Sequence, residues 1–252
     1  MKNNFILFDG FFIFSLDFFT IICYNNLQIN LLKRSVHIMD ATQKWANERR
    51  IRDLMKVLEE KSFNAIYAET VDEAKKIVMD MIPEGSTIAV GGSVTLNETG
   101  ILAEIQKPEY KFIDRYHTNS YEEMLDKYRE GYYADFMVSS TNAITMNGEL
   151  VNIDCTGNRT SQIVFGPKKV IIVAGVNKIV DNVEEGIKRA KKIAPMNARR
   201  INHKTPCATD DNIKCTDCSC KARMCNVTSI VTGCHYFPGR ITVVLVPEVL
   251  GY

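Results

Sequence analysis

The run Val170-Ile171-Ile172-Val173-Ala174 is apolar at every position, so a strand made from it must be covered on both faces. Further short strand patterns occur at residues 65–68, 87–90, 110–113, 135–140 and 241–246. Helical patterns separate them. A charged amphipathic helix starts near residue 40 and runs through Trp45, Ile51, Leu54, Met55 and Leu58. The capping box Thr70-Val71-Asp72-Glu73 opens a second helix, whose apolar stripe is Val71, Ala74, Val78, Met81 and Ile82 and which stops near Pro83-Glu84-Gly85. Ser120-Tyr121-Glu122-Glu123 opens a third, and residues 181–193 read as a fourth. Residues 144–151 form a hairpin pattern around Asn147-Gly148. Strands alternating with helices predict an α/β fold with an open, mainly parallel sheet covered on both sides.

The 252 residues, 46% hydrophobic, suffice for one domain or for one domain and an appendage. A net charge of +1 gives no field that would favour nucleic acid or an anionic membrane surface, which leaves small molecules or proteins as partners. Residues 1–38 are set apart by their crowding of Phe, Ile, Leu and Asn and by the absence of Ala, Glu and Pro. Asp9 and Asp17 interrupt the apolar run, which disfavours a membrane anchor. These residue types have AT-rich codons, so the segment reads as a mis-called, non-native extension with Met39 as the start. The domain then spans residues 39–252 and is expected to be cytoplasmic.

Six of the eight cysteines, Cys207, Cys215, Cys218, Cys220, Cys225 and Cys234, crowd into residues 203–235 as a Cys-rich segment before the last strand. Disulfide frameworks spread through small secreted domains, whereas this chain has its own core, so metal ligation is the better reading. Cys207, Cys215, Cys218 and Cys225 form the expected ligand set, preferred over one that recruits His203 or His235. A single close Cys-x-x-Cys pair matches neither a zinc ribbon nor a bacterial ferredoxin run, and an irregular four-cysteine site stays compatible with a [4Fe–4S] cluster. Zinc is the alternative, and a Cys218-Ser219-Cys220 dithiol switch ranks third.

Ligands of parallel sheets bind outside the carboxyl ends of the strands. Four groups of residues fall at such ends or beside them. Gly91, Gly92, Ser93 and Thr95 form a turn suited to close backbone approach by an anion, with Glu98 one turn on; a tight turn capped by Ser93 is the plainer account. Thr141 and Asn142 precede the hairpin, and Asp154, Asn158 and Arg159 follow it. Arg159 can grip a carboxylate or phosphate, or pair structurally with Asp154. Asn177 and Lys178 lie beyond the buried strand. Together they suit a small anionic molecule. No nucleophilic triad is visible around His37, His117, His203 or His235.

Taken in order, Gly91-Gly92-Ser93-Val94-Thr95-Leu96-Asn97-Glu98-Thr99-Gly100, Thr141-Asn142-Ala143-Ile144-Thr145, Gly148-Glu149-Leu150-Val151-Asn152-Ile153-Asp154, Gly166-Pro167-Lys168-Lys169-Val170 and Gly175-Val176-Asn177-Lys178-Ile179-Val180 resemble the lactate-utilization (LUD) domain family. The resemblance implies a Rossmann-like sheet of the NagB/RpiA/CoA-transferase type and a link to iron–sulfur proteins that oxidise L-lactate to pyruvate, with iron–sulfur partner subunits. It is nearest a stand-alone branch with a Pro206-Cys207 segment, and its redox association tips the metal reading toward iron–sulfur. Two departures stand out: Cys220 replaces a Ser, and Asp210-Asp211-Asn212 replaces a Thr-Gly turn. The expected role is an electron-transfer or accessory subunit in or beside 2-hydroxyacid oxidation. The alternative is an enzyme or sensor for a phosphorylated or carboxylated ligand with a structural zinc site, and a regulatory metal module is third.

Overall fold

A computed structural model describes residues 40–209 and 213–252, so the expectations for residues 1–38 lie outside the described residues. Residues Trp45–Tyr252 form one unit. The elements in chain order are α1 (Ala41–Glu60), β1 (Asn64–Tyr67), α2 (Val71–Asp80), β2 (Thr87–Val90), α3 (Val94–Glu98), α4 (Ile101–Ile105), β3 (Lys111–Phe112), α5 (Tyr121–Glu130), β4 (Phe136–Ser139), β5 (Ala143–Thr145), β6 (Leu150–Asp154), α6 (Asn158–Phe165), β7 (Lys169–Gly175), β8 (Ile179–Val180), α7 (Val183–Arg200), β9 (Val227–Val231) and β10 (Ile241–Val246).

Six strands pair in parallel in the order β1-β10-β7-β4-β2-β3. This is the α/β, mainly parallel sheet that the strand–helix alternation predicts. The side chains of β7 explain why it must be central. Val170, Ile172 and Ala174 pack with Ile51, Leu54 and Leu58 of α1, while Ile171 and Val173 pack on the opposite face with Ala74 and Val78 of α2 and with Leu96, Ile101 and Ile105. All of these but Leu96, at 1%, are wholly inaccessible, so cutting any one of the larger aliphatics back to Ala costs about 2–5 kcal/mol.

A second sheet, β8-β5-β6-β9, lies on the α1 side, with Ile144 and Leu150 in the same core as α1. Its β5–β6 and β6–β9 pairs are antiparallel. The expected hairpin is present, with Gly148 at φ +78 after the turn closed by Gly148 N to Thr145 O at 2.8 Å. The glycine therefore takes the left-handed bulge position, which a side chain resists, rather than sharing the turn centre with Asn147.

Both capping boxes form, with Thr70 accepting from Glu73 N and Ser120 from Glu123 N. Each glutamate reaches back to the amide before the cap, Glu69 N and Asn119 N, at 2.7 Å. Two element readings need correction. Trp45 is 66% exposed and is not part of the buried stripe of α1. The fourth helix does not stop at residue 193 but continues through Pro195 to Arg200. An interior proline costs about 3 kcal/mol, and the buried face Gly186, Ala190, Pro195 and Ala198 outweighs it. No helix among the described residues is long and apolar enough to cross a membrane.

The strand order reverses beside β2: β3 follows it on one side and β4 returns on the other. A crevice outside the carboxyl ends of β2 and β4 results, where open sheets place their ligands.

Candidate functional site

A cleft of about 590 Å³ occupies that crevice, a volume ordinary for a small-molecule site. Gly92, Ser93 and Thr95 reach it from the end of β2, Thr141 and Asn142 from β4, Lys178 from β7, and Asp154, Asn158 and Arg159 from β6 and α6. Gly91, Glu98 and Asn177 do not line it. Gly91 is where the Arg159 stem crosses the backbone: an added Cβ would stand 2.8 Å from Arg159 Cδ. Glu98 accepts from Gly251 N at 2.6 Å, and Asn177 Oδ1 accepts from Leu250 N at 3.1 Å, so both hold residues 250–251 against the site. Ser93 Oγ accepts from Leu96 N at 3.3 Å and is thereby a helix cap.

Arg159 is the most heavily bonded side chain here. Its Nε and Nη2 donate to Asp154 Oδ1 at 3.0 and 2.6 Å, Nη1 donates to Ser140 O at 3.1 Å, and Nη2 also meets Asn142 Oδ1 at 2.9 Å. Asp154 Oδ2 in turn accepts from the amides of Arg159 and Thr160 at 3.0 and 2.8 Å. The guanidinium thus knits the loop after β4 to the end of β6. Asn142 Oδ1 is taken up by this network and by Ile153 N at 2.8 Å, which leaves its Nδ2 donors for a ligand.

Uncompensated positive charge comes from two other residues. Arg115 follows β3, with its guanidinium 4.2 Å from the centre of the Tyr116 ring and its Nη1 donating to Tyr128 Oη at 2.9 Å. Arg200, in the last turn of α7, is held by Asn197 Oδ1 at 2.8 Å. Their Nη2 atoms stand 3.0 and 3.8 Å from where a Cβ on Gly92 would be, so two cations flank that glycine. Neither has a carboxylate partner among the described residues. Such a pair favours an anion at the turn.

Lys178 is buried, with 4% of its surface exposed, and no described residue gives its Nζ a hydrogen bond or an ion pair. Burial, then the charges of Arg189 and Arg159, bring its pKa down to about 7, opposed by Glu98. Arg189 is itself tied to Asn177 O and Asn142 O at 2.8 and 2.6 Å.

The cysteine segment lies between α7 and β9. Cys207, Cys215, Cys218 and Cys225 all line one small space of about 20 Å³, room for an ion or a water. All four are free thiols. Burial, then the charges of Cys215, Cys207 and Cys218, push the Cys225 thiol up, and Arg223 draws it down. Arg223 staples the loop by donating to Cys218 O, to Cys225 O at 3.0 Å and to Asp217 Oδ1 at 2.9 Å. Four thiols on one void fit a soft-metal donor set. Around a single zinc ion, sulfurs at about 2.3 Å from the metal would lie about 3.8 Å from one another, and no group of three or more His, Cys, Asp or Glu among the described residues closes to hold an ion. Cys220 Sγ is 3.6 Å from Cys218 Sγ but does not line the void. Cys234 and His235 are elsewhere, bonded to Phe237 O and Ser62 Oγ. His203 lines the cleft, its Nε2 2.9 Å from Ala222 O.

The model of a family described as LUD domain matches residues 51–246, a span that includes every element from β1 to β10. The chain belongs to the LUD domain family. No curated protein matches it. Among solved structures, it is similar to a duf162 family protein from Deinococcus radiodurans, at 11% identity and a TM-score of 0.46, with 79% of this chain and 97% of that chain covered.

In this LUD domain, Met224, Cys225 and Ala194 line both the cleft and the thiol void, so a single wall separates them. Sequence reasoning missed Arg115, Arg200, Tyr128 and Cys155, all of which line the cleft. Arg115 carried a usable signal, a basic residue just beyond a strand of the parallel sheet. Arg200 was hidden by ending its helix too early.

Proposed function

We propose that this LUD-domain protein acts in or beside lactate (2-hydroxyacid) oxidation, with the cleft binding a small carboxylate and the four-cysteine site serving as a metal centre at its wall. The family is associated with lactate utilization. The observation that carries the reading is the wall shared by cleft and thiols, formed by Met224 and Cys225. Arg115 and Arg200 supply counter-charge for a carboxylate, and Asn142 Nδ2 a neutral donor for its hydroxyl or carbonyl oxygen. Arg159 and Asp154 hold the loop that presents Asn142.

Cys207, Cys215, Cys218 and Cys225 would hold an iron–sulfur cluster, which would supply one-electron transfer beside the ligand. A structural zinc is the second reading, favoured by a void the size of one ion rather than of a multi-iron cluster. In that case the cleft serves an enzyme or sensor for a carboxylated or phosphorylated ligand.

Metal and sulfide analysis with a visible spectrum, on protein purified without oxygen, separates the two. Iron with sulfide and a broad band bleached by dithionite supports electron transfer. Stoichiometric zinc with a featureless visible spectrum removes it. Calorimetric titration with L-lactate and pyruvate tests the cleft independently, and the absence of binding by either would overturn the carboxylate reading.

A further inference from the structure

Among the described residues, Lys178 is a buried cleft cation to which no hydrogen bond or ion pair gives a structural role. An ammonium at the wall of a cleft, on a side chain with only 4% of its surface exposed and no hydrogen-bonding partner among the described residues, is poorly solvated, and this one faces two further cations. The charged groups around it are Arg159 from α6, Arg189 from α7 and Glu98 from α3. Glu98 spends its Oε2 on Gly251 N, 2.6 Å away. With desolvation and two guanidiniums outweighing one engaged carboxylate, the amine titrates at about 7 and carries a free lone pair near neutral pH. A desolvated lysine next to other cations is how an amine becomes a nucleophile toward carbonyl compounds. The same cleft holds the carboxylate-seeking Arg115 and Arg200 and the open Nδ2 of Asn142.

We propose that the ε-amine of Lys178 is a catalytic nucleophile that condenses with the carbonyl carbon of a small 2-oxo acid bound in the cleft. This rests on the reading of the cleft as a site for 2-hydroxy and 2-oxo acids. The nitrogen lone pair forms the new C–N bond, and the carbonyl oxygen departs as water carrying the two amine protons, which leaves an imine. No oxidant or reductant is consumed. Asn142 Nδ2 donates to the carbonyl oxygen as negative charge grows on it.

The test is reductive trapping on the full chain as purified. Protein is incubated with pyruvate and cyanoborohydride, digested and mapped by mass spectrometry, while calorimetry follows pyruvate binding in parallel. The expected result is one reduced pyruvyl group on Lys178, formed faster as pH rises through about 7. It is absent with L-lactate, which has no carbonyl, and absent in Lys178→Met. Pyruvate binding without an adduct at Lys178, or adducts spread over surface lysines alone, overturns the inference and leaves the carboxylate reading standing. No pyruvate binding at all overturns both. Lys178→Arg, whose guanidinium forms no imine, should likewise lose the adduct, and an adduct of undiminished yield in that variant would overturn the assignment.

Discussion

Arg159 Nη2 lies 2.6 Å from Asp154 Oδ1, and the two side chains are only 12% and 7% exposed. The pair joins the loop after β4 to the start of α6, so its work is to shape the cleft. Removing one member leaves the other charged and buried, which typically costs about 3–5 kcal/mol. Asp154→Ala and Arg159→Ala should each lower the urea midpoint accordingly, and Arg159→Lys should recover little because an ammonium cannot make the forked contact. A change under about 1 kcal/mol in the alanine variants would show that the pair is not structural.

Arg115 and Arg200 should behave in the opposite way. Neither neutralises a described carboxylate, so Arg115→Ala and Arg200→Ala should lower the unfolding midpoint much less than loss of Asp154 or Arg159. Each should weaken pyruvate or L-lactate binding about tenfold to a hundredfold, the scale of a charged hydrogen bond. Isothermal calorimetry at two salt concentrations measures this, and the wild-type affinity should fall as salt rises.

The thiols divide into those that line the void and those that do not. Cys207→Ser, Cys215→Ser, Cys218→Ser and Cys225→Ser should each lower bound metal, with loss of any visible band. Cys220→Ser and Cys234→Ser should retain it, because neither side chain faces that space. Metal content per chain after anaerobic purification decides the matter. Full occupancy in Cys225→Ser would remove the shared wall from the functional reading.

Lys178 also makes stability depend on pH. Its folded pKa of about 7 lies below the ordinary lysine value of 10.5, so between those limits the unfolded chain holds a proton that the folded chain lacks. Stability from this residue therefore rises with pH from about 7 to 10.5, at up to about 1.4 kcal/mol per unit, and is flat below 7. Lys178→Met should erase that slope relative to wild type in urea melts taken from pH 6 to about 9. Parallel curves for the two proteins would place the ammonium in water.

The sheet is legible in the sequence because its strands are short apolar runs separated by capped helices, and a run such as Val170 to Ala174 has few alternative fates. The crevice follows from strand order, which shows only weakly in local pattern, yet the residues at strand ends could be named. The role of Arg159 could not be settled that way. Its partners Asp154, Ser140 and Asn142 meet it through tertiary contact, and both a ligand clamp and a structural pair suit the same residue types. Arg200 was obscured for a different reason. A proline normally ends a helix, and only the buried face of α7 shows why this one does not.

The walls of the cleft come from stretches as far apart as Gly92, Arg115, Asn142, Arg159, Lys178, Arg200 and Cys225. No contiguous fragment carries a usable part of it. A growing chain has no binding site until β10 has been made and the sheet has closed. A ligand that entered the finished cleft would touch both sides of the strand-order reversal, and its binding energy would add to the stability of the whole sheet rather than to that of one loop.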